Sequence, residues 1–299
     1  MAKIKYIDHN FKAETLKKIK QANAIIAEYQ ADRIQLTLRQ LYYQFVARDL
    51  IKNNQQEYNK LQSCITNARR AGLVDWDAII DRTRNMTRLS SWSSPSDILS
   101  AVASQYREDL WDGQEYLPIV MVEKDAAIGT VEAVCNDLRV PYISNRGYFS
   151  DAELHAQAKS LQGMMRRGKN PILLYCGDFD PSGWDMTRDL RERFNMFTEP
   201  YEVPIKRLAL NPEQIDVYNP PPNFAKQTDT RFQTFVDEFG DECYELDAVP
   251  PREAVRLIRE AVLELRDEQE WQSAENAERI ARSQLERLSE RWDEIKDEI

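Results

Sequence analysis

Val120-Met121-Val122-Glu123-Lys124 and Leu173-Leu174-Tyr175-Cys176-Gly177-Asp178-Phe179-Asp180-Pro181-Ser182-Gly183 decide how this chain is read. Each stretch sets carboxylates just beyond a short apolar run, the pattern of a parallel strand buried on both faces. Open α/β sheets gather their ligands outside the carboxyl ends of such strands. Asp178 and Asp180, two positions apart, project to one side of extended chain. With Glu123 they supply oxygen donors and no His or Cys. That set suits a hard cation, Mg2+ or Mn2+, which keeps some of its waters for a substrate phosphate. Gly177 and Gly183 flank the pair and leave the backbone free for close approach of a phosphate.

Working outward, apolar runs alternate with helical patterns from 117 to 210: strand at 117–122, helix at 126–138, strand at 141–144, helix at 151–166, strand at 171–176, helix at 184–194, strand at 203–210. Alternation of this kind predicts an α/β fold with a parallel sheet and helices on both faces. Neither GxGxxG nor GxxxxGK[ST] occurs, so a dinucleotide fold and a P-loop ATPase are not indicated. Upstream, apolar spacing gives a helix over 11–29, a second opening at Thr37 as N-cap, and a third over 56–71 that stops at Gly72. The stretches 73–76 and 78–81 are short enough for the strands of a wing, and the order is that of a winged helix-turn-helix DNA-binding domain. A stretch at 87–113, rich in Ser and then giving one more helix through Tyr106, reads as the joint between domains. Residues 212–250 are less regular, and the tail from Glu253 is helical, with Leu285, Leu288, Trp292, Ile295 and Ile299 as a seam that must pack on something. The expected segments are an N-terminal winged-helix domain at 1–90, a linker at 91–115, a metal-binding α/β domain at 116–250 and a helical C-terminal tail at 251–299.

At 299 residues the chain has room for roughly two domains of about 100 to 150 residues each. Four scattered cysteines give neither a zinc ribbon nor a disulfide framework, and no apolar stretch approaches the roughly 20 residues of a membrane span. A reduced, cytoplasmic protein is expected. The formal net charge of −10 excludes a generic basic nucleic-acid coat, yet its distribution is uneven. Residues 33–70 carry seven basic and two acidic side chains, and residues 251–299 carry nine basic and fourteen acidic. DNA contact is therefore expected through the first third only, with Arg39, Arg69, Arg70, Lys124, Arg146 and Lys226 as candidates for the phosphate backbone. The bland alternative for each is a solvated face or a surface ion pair.

Arg39 and Tyr43 stand four residues apart on one predicted helix and so share a face. A tyrosine hydroxyl can attack phosphorus and store the cut bond as a phosphotyrosyl ester, while a guanidinium stabilises the gathering charge. A tyrosine in a helix is otherwise core packing, the role expected of Tyr42.

Thr37-Leu38-Arg39-Gln40-Leu41-Tyr42-Tyr43 resembles the catalytic-tyrosine motif of the A subunit of topoisomerase VI and the related meiotic double-strand-break protein. Glu123-Lys124, Arg146-Gly147-Tyr148 and Gly177-Asp178-Phe179-Asp180-Pro181-Ser182-Gly183 resemble, in the same order, the Toprim domain of that family. The likeness extends to Leu208-Ala209-Leu210, residues 226–231 and Glu245-Leu246-Asp247-Ala248-Val249-Pro250-Pro251, in a chain nearer in length to compact bacterial, plasmid or phage relatives. The resemblance implies a homodimer in which the tyrosine of one subunit meets the metal site of the other and cuts double-stranded DNA through 5′-phosphotyrosyl links. By position Tyr43 would be the nucleophile, Arg39 its partner, and Glu123, Asp178 and Asp180 the Mg2+ ligands, with Glu123 also serving acid-base catalysis. Strand passage would need a separate ATPase subunit of the GHKL type, or another ATPase. Two alternatives stand beside this topoisomerase-like reading: a Toprim nuclease of a mobile-element or defence system that activates water, and a non-catalytic DNA-binding subunit.

Overall fold

The computed structural model describes residues 3–32, 34–80, 89, 91–123, 125–145, 148–225 and 228–295. In chain order these form α1 (Ala13–Ala31), β1 (Leu36–Thr37), α2 (Leu38–Ala47), α3 (Gln55–Arg70), β2 (Ile79–Ile80), α4 (Pro95–Gln105), β3 (Tyr116–Glu123), α5 (Asp125–Asp137), β4 (Tyr142–Asn145), α6 (Asp151–Arg166), β5 (Asn170–Cys176), α7 (Pro181–Thr198) and β6 (Ile205–Ala209). There follow α8 (Pro212–Tyr218), β7 (Asn223–Phe224), α9 (Phe232–Phe239), β8 (Glu242–Cys243), α10 (Pro251–Leu263), α11 (Glu268–Glu290) and α12 (Trp292–Ile295). The fold is α/β, as expected. Among the described residues no helix is long and apolar enough to cross a membrane.

Two compact units emerge: Met1–Asp81 with Pro118–Glu264, and Arg82–Leu117 with Leu265–Ile299. In the first, α1, α2 and α3 close over a core that includes Ile19, Ile26, Leu41, Phe45, Leu61 and Ile65. α2 starts where Thr37 predicts. Its hydroxyl accepts from Gln40 N at 3.2 Å while Gln40 Oε1 accepts from Thr37 N at 2.9 Å, a complete capping box. α3 ends at Gly72, whose φ of +73° favours glycine.

The expected wing hairpin does not form. Leu73 N is spent on the Ala68 carbonyl at the end of α3, and Val74 is fully buried, so neither joins a ladder. Trp76–Ala78 is a 3-10 turn capped by Asp75, and β2 pairs in parallel with β1, Leu36 opposite Ile79. Asp81, at the end of the second expected strand, lies outside the described residues.

The sheet has four strands in the order β4-β3-β5-β6. β3 pairs in parallel with β4, Val120 opposite Tyr142, and β5 in parallel with β6, Leu173 opposite Ile205. The chain steps one way from β3 to β4 and the other way from β4 to β5 and β6. Right-handed crossovers then place α5 on one face and α6 with α7 on the other. α10 packs against α5 and β6, so helix pairs α5/α10 and α6/α7 flank the sheet. Where the stepping reverses, the carboxyl ends of β3 and β5 lie side by side, and the crevice of such a sheet opens there. The stretch after β6 covers this edge: Tyr244 bridges Phe179 in antiparallel fashion, and Phe179 packs edge-on or tilted against Trp184, Phe235 and Phe239 with ring centroids 5.1–5.4 Å apart.

The second unit joins the stretch read as the joint between domains to the tail. The helix expected there through Tyr106 is α4, and α11 of the tail runs antiparallel to it: Ser96 meets Ser289, Ser104 meets Arg282, and Glu108 N donates to Glu278 at 2.9 Å. Trp111 and Trp271 stack edge-on at 5.6 Å behind this polar seam. The tail is also divided, since α10 belongs to the first unit. Of the expected apolar seam, Leu285 and Trp292 are half-buried and Leu288 is 40 % exposed, while the neighbouring Ser289 is buried; Ile299 lies outside the described residues.

Candidate active site

Glu123 ends β3, and Asp178 and Asp180 follow β5. Glu123 and Asp178 are buried, Asp180 half-buried. Each holds one carboxylate oxygen in a defined bond. Glu123 Oε2 accepts from Tyr175 Oη and Asp178 N, both at 3.2 Å. Asp178 Oδ1 accepts from Leu246 N at 2.9 Å, and Asp180 Oδ1 accepts from Ser182 Oγ at 2.9 Å and Gly183 N at 2.6 Å as the N-cap of α7. The glycines serve this packing before any phosphate: a Cβ on Gly183 would stand 2.5 Å from the Asp178 carbonyl and 3.0 Å from Glu123 Oε2, and one on Gly177 would strike the Tyr175 ring. A cleft of about 430 Å³ opens beside Asp178 and Asp180 and is lined further by Ser182, Asn223, Asp229 and Glu245. Cys243 also lines it, its thiol pushed up to about 12 by burial and then by Asp180 and Asp178, and so kept protonated.

An all-oxygen donor set at the switch point of a parallel sheet fits a hard divalent cation. Asp178 and Asp180 line one cleft and Glu123 accepts from Asp178 N, yet among the described residues no three His, Cys, Asp or Glu side chains are gathered as a metal-ligand group. Hydrogen bonds to backbone and cap hold the trio instead.

Beneath the acidic loop lies Arg207 of β6, a cation the sequence reading did not single out. It donates to the carbonyls of Gly177 (3.2 Å), Asp178 (2.6 Å), Gly183 (2.9 Å) and Leu210 (3.0 Å), and to Thr187 Oγ1 at 2.9 Å. Its guanidinium faces the rings of Tyr175 and Trp184 at 5.3 and 5.1 Å. Burial lowers its pKa, while Tyr175, Glu123 and Asp178 hold the charge in place. One side chain thereby fixes the path of the whole loop.

Tyr43 is 3 % exposed, with the Arg39 guanidinium 5.8 Å from its ring centroid. Tyr42 is the packing residue expected, its hydroxyl donating to Asn53 Oδ1 at 2.9 Å. Arg39 does not extend freely toward solvent. Its Nε donates to Glu245 Oε2 at 3.1 Å, its Nη2 pairs with the same oxygen, and Asp247 Oδ2 lies 3.7 Å from Nε. Arg39 and Glu245 line one cavity with Tyr43, whose hydroxyl pKa is raised by burial and then by the Glu245 charge, against the opposing pull of Arg39. A second cavity of about 140 Å³, lined by Arg39, Tyr43, Asn53, Tyr58, Asn223 and Glu245, opens here. Asn223 and Glu245 line both cavities, so within one chain the tyrosine pocket and the acidic cleft share a wall.

No protein-family model matches the chain, and no curated protein matches it. The site therefore rests on its own geometry. Of the expected DNA contacts, Arg69 is spent on the Ile79 carbonyl and faces the Trp76 ring at 6.0 Å, Arg70 is exposed, and Lys124, Arg146 and Lys226 lie outside the described residues. Tyr148, from the Arg146-Gly147-Tyr148 motif, donates to Asp185 Oδ2 at 2.9 Å and accepts from Arg231. Glu245 and Asp247 had a signal in the sequence: Glu-Leu-Asp repeats the i, i+2 carboxylate spacing of Asp178-Phe179-Asp180. Arg207 had a weaker one, a charge inside an otherwise apolar strand.

Proposed function

We propose that this protein cuts DNA by transesterification through Tyr43, in the manner of a type IIB topoisomerase A subunit. The observation that carries the reading is the wall shared, within one chain, by the Tyr43 pocket and the acidic cleft, an adjacency in cis where the resemblance implies a tyrosine meeting the partner's metal site. A nucleophile, a guanidinium and a set of hard oxygen donors adjoin, which phosphoryl transfer requires. Glu123, Asp178 and Asp180 would hold Mg2+ or Mn2+, which when bound offsets the charge on the phosphodiester. Arg39 supplies a second positive charge, one helical turn from the nucleophile. Glu123 would exchange a proton with the departing sugar oxygen, and Arg207 keeps the loop between the acids in one conformation. The likeness of the Thr37–Tyr43 stretch and of the acidic motif to that family, in the same order, supports the same reading. Double-stranded DNA is the substrate, a homodimer the form that cuts both strands, and an ATPase a separate partner where strands are passed.

The test is direct. Full-length protein is incubated with supercoiled plasmid and Mg2+ or Mn2+, the reaction is stopped with detergent, and DNA ends are examined for attached protein. The expected result is protein on 5′ ends, lost in Tyr43→Phe and in Asp178→Ala. One observation favours a second reading, a metal-dependent nuclease that activates water: Tyr43 is almost wholly buried. Free 5′-phosphate ends produced equally well by Tyr43→Phe would establish that reading and reject the first.

A further inference from the structure

Building on the transesterification reading, we propose that Glu245 is the catalytic base that takes the proton from Tyr43. A phenol that attacks phosphorus must lose its proton, and the acceptor must lie within hydrogen-bond reach of it. Histidine is the commonest choice, but the chain has two, His9 and His155, and they stack on Phe11 and Phe197, away from this pocket. Glu245 lines the Tyr43 cavity as well as the acidic cleft, and it is paired with Arg39, whose guanidinium lies over the Tyr43 ring. Asp247 lines neither cavity and faces Arg39 from the buried side.

The backbone fixes Glu245 in this place. Phe179 and Tyr244 exchange N–H to carbonyl bonds at 2.9 Å, and Leu246 N donates to Asp178 Oδ1, so the segment is clamped to the acidic loop on either side of Glu245. Its Oε1 takes a long bond from Asn223 Nδ2 at 3.5 Å, and Oε2 is held by Arg39. The carboxylate therefore stands on the wall shared by the tyrosine pocket and the acidic cleft. The charged groups facing the Tyr43 hydroxyl are Arg39 from its own helix and Glu245 from this segment.

Proton transfer also alters the ion pair. When the Tyr43 O–H bond breaks and Glu245 receives the proton, the neutral acid no longer holds Arg39 by charge, and the guanidinium is released toward the phosphate. The phenolate oxygen forms a bond to phosphorus, the bond from phosphorus to the 3′ oxygen breaks, and that oxygen takes a proton from solvent by way of Glu123, while Glu245 releases to solvent the proton it received. One proton leaves Tyr43 and one reaches the 3′ oxygen, so atoms and charge balance.

The experiment measures covalent-adduct formation by the full chain on plasmid with Mg2+. At neutral pH, Glu245→Gln is expected to slow it by about 10² to 10⁴-fold, with Glu245→Asp intermediate. Hydroxide then replaces the missing base, so the glutamine variant gains about tenfold per pH unit from 7 to 9 while the unaltered chain changes little. Removing the Glu245 charge is also expected to lower the alkaline titration of Tyr43, read at 295 nm as a difference against the matching Tyr43→Phe chains. An adduct rate within about twofold of the unaltered chain, or a loss that higher pH does not restore, overturns the assignment. If the unaltered chain forms no Tyr43-dependent adduct, the transesterification reading falls, and this proposal with it.

Discussion

Tyr43 and Tyr175 are both phenols that burial holds neutral beyond the ordinary tyrosine range, and each has a glutamate beside it that adds to the shift, Glu245 and Glu123 respectively. The consequence for stability has a definite sign. With a folded pKa above the unfolded value near 10, the unfolded chain loses these protons first. Their contribution is therefore complete below about pH 10 and is lost as pH rises through the folded values. Tyr43→Phe is expected to unfold with a shallower loss of urea midpoint between pH 9 and 11, and a slope unchanged from the natural chain would contradict the burial argument. Arg207 makes the larger demand. Arg207→Ala strips donors from four carbonyls in a buried loop, and unsatisfied buried groups cost about 1–3 kcal/mol each. A loss of at least about 3 kcal/mol in denaturant unfolding is expected, with the acidic loop failing first. At this scale the sequence was partly legible. Asp178, Asp180 and Glu123 announce themselves by sitting past apolar runs, and Arg39 and Tyr43 by their spacing. Glu245 and Arg207 carry weaker signals, an acidic spacing and a charge within an apolar strand, and their roles stay hidden because each takes its role from a partner distant in the chain, Arg39 across 206 residues and Asp178 across 29.

Among the elements, α7 carries two demands on one residue. Asp180 caps its N-terminus through Gly183 N and belongs to the candidate ligand trio. The two roles separate by substitution. Asn caps helices about as well as Asp, whereas Ala costs about 1 kcal/mol. Asp180→Asn is expected to keep the melting temperature and lose adduct formation, and Asp180→Ala to lose both; an active Asp180→Asn would remove Asp180 from the ligand set. The strands and helices of the sheet were readable because burial on both faces writes an unbroken apolar run, and because the helices between them are strongly periodic. The wing was misread for a physical reason: Leu73 and Val74 alternate with nothing, and serve the end of α3 and the core instead. The pairing of α4 with α11 was unreadable for the opposite reason. Its seam is Ser96, Ser100, Ser289 and Glu278, whose hydrogen bonds leave no apolar periodicity. Only Trp111 against Trp271 marks it, and neither is distinctive until they meet.

Over the whole chain, charge is the quantity that sequence composition reports and that folding redistributes. A net −10 opposes DNA at long range, while residues 33–70, with seven basic against two acidic side chains, favour it locally. Salt decides between them. At about 0.15 M the Debye length is about 8 Å, so acidic stretches farther than that from the duplex are screened, whereas direct contacts to phosphate persist. Each phosphate neutralised contributes about −0.9 to the slope of log affinity against log salt. The number of usable contacts is smaller than the count of basic residues, since Arg39, Arg48, Lys60 and Arg69 are each engaged with Glu245, Glu28, Glu57 and the Ile79 carbonyl. Lys52 and Arg70, both exposed, stay available. Duplex binding measured from 50 to 300 mM salt is therefore expected to show a modest negative slope, reduced by about one in Arg70→Ala or Lys52→Ala. Arg287→Ala, an exposed charge in the acidic tail, is expected to leave the slope unchanged. A slope near zero for the natural chain, or equal effects of Arg287→Ala and Arg70→Ala, would move the DNA-binding face away from the helices of the first third, and Tyr43 would lose its access to the backbone it is proposed to cut.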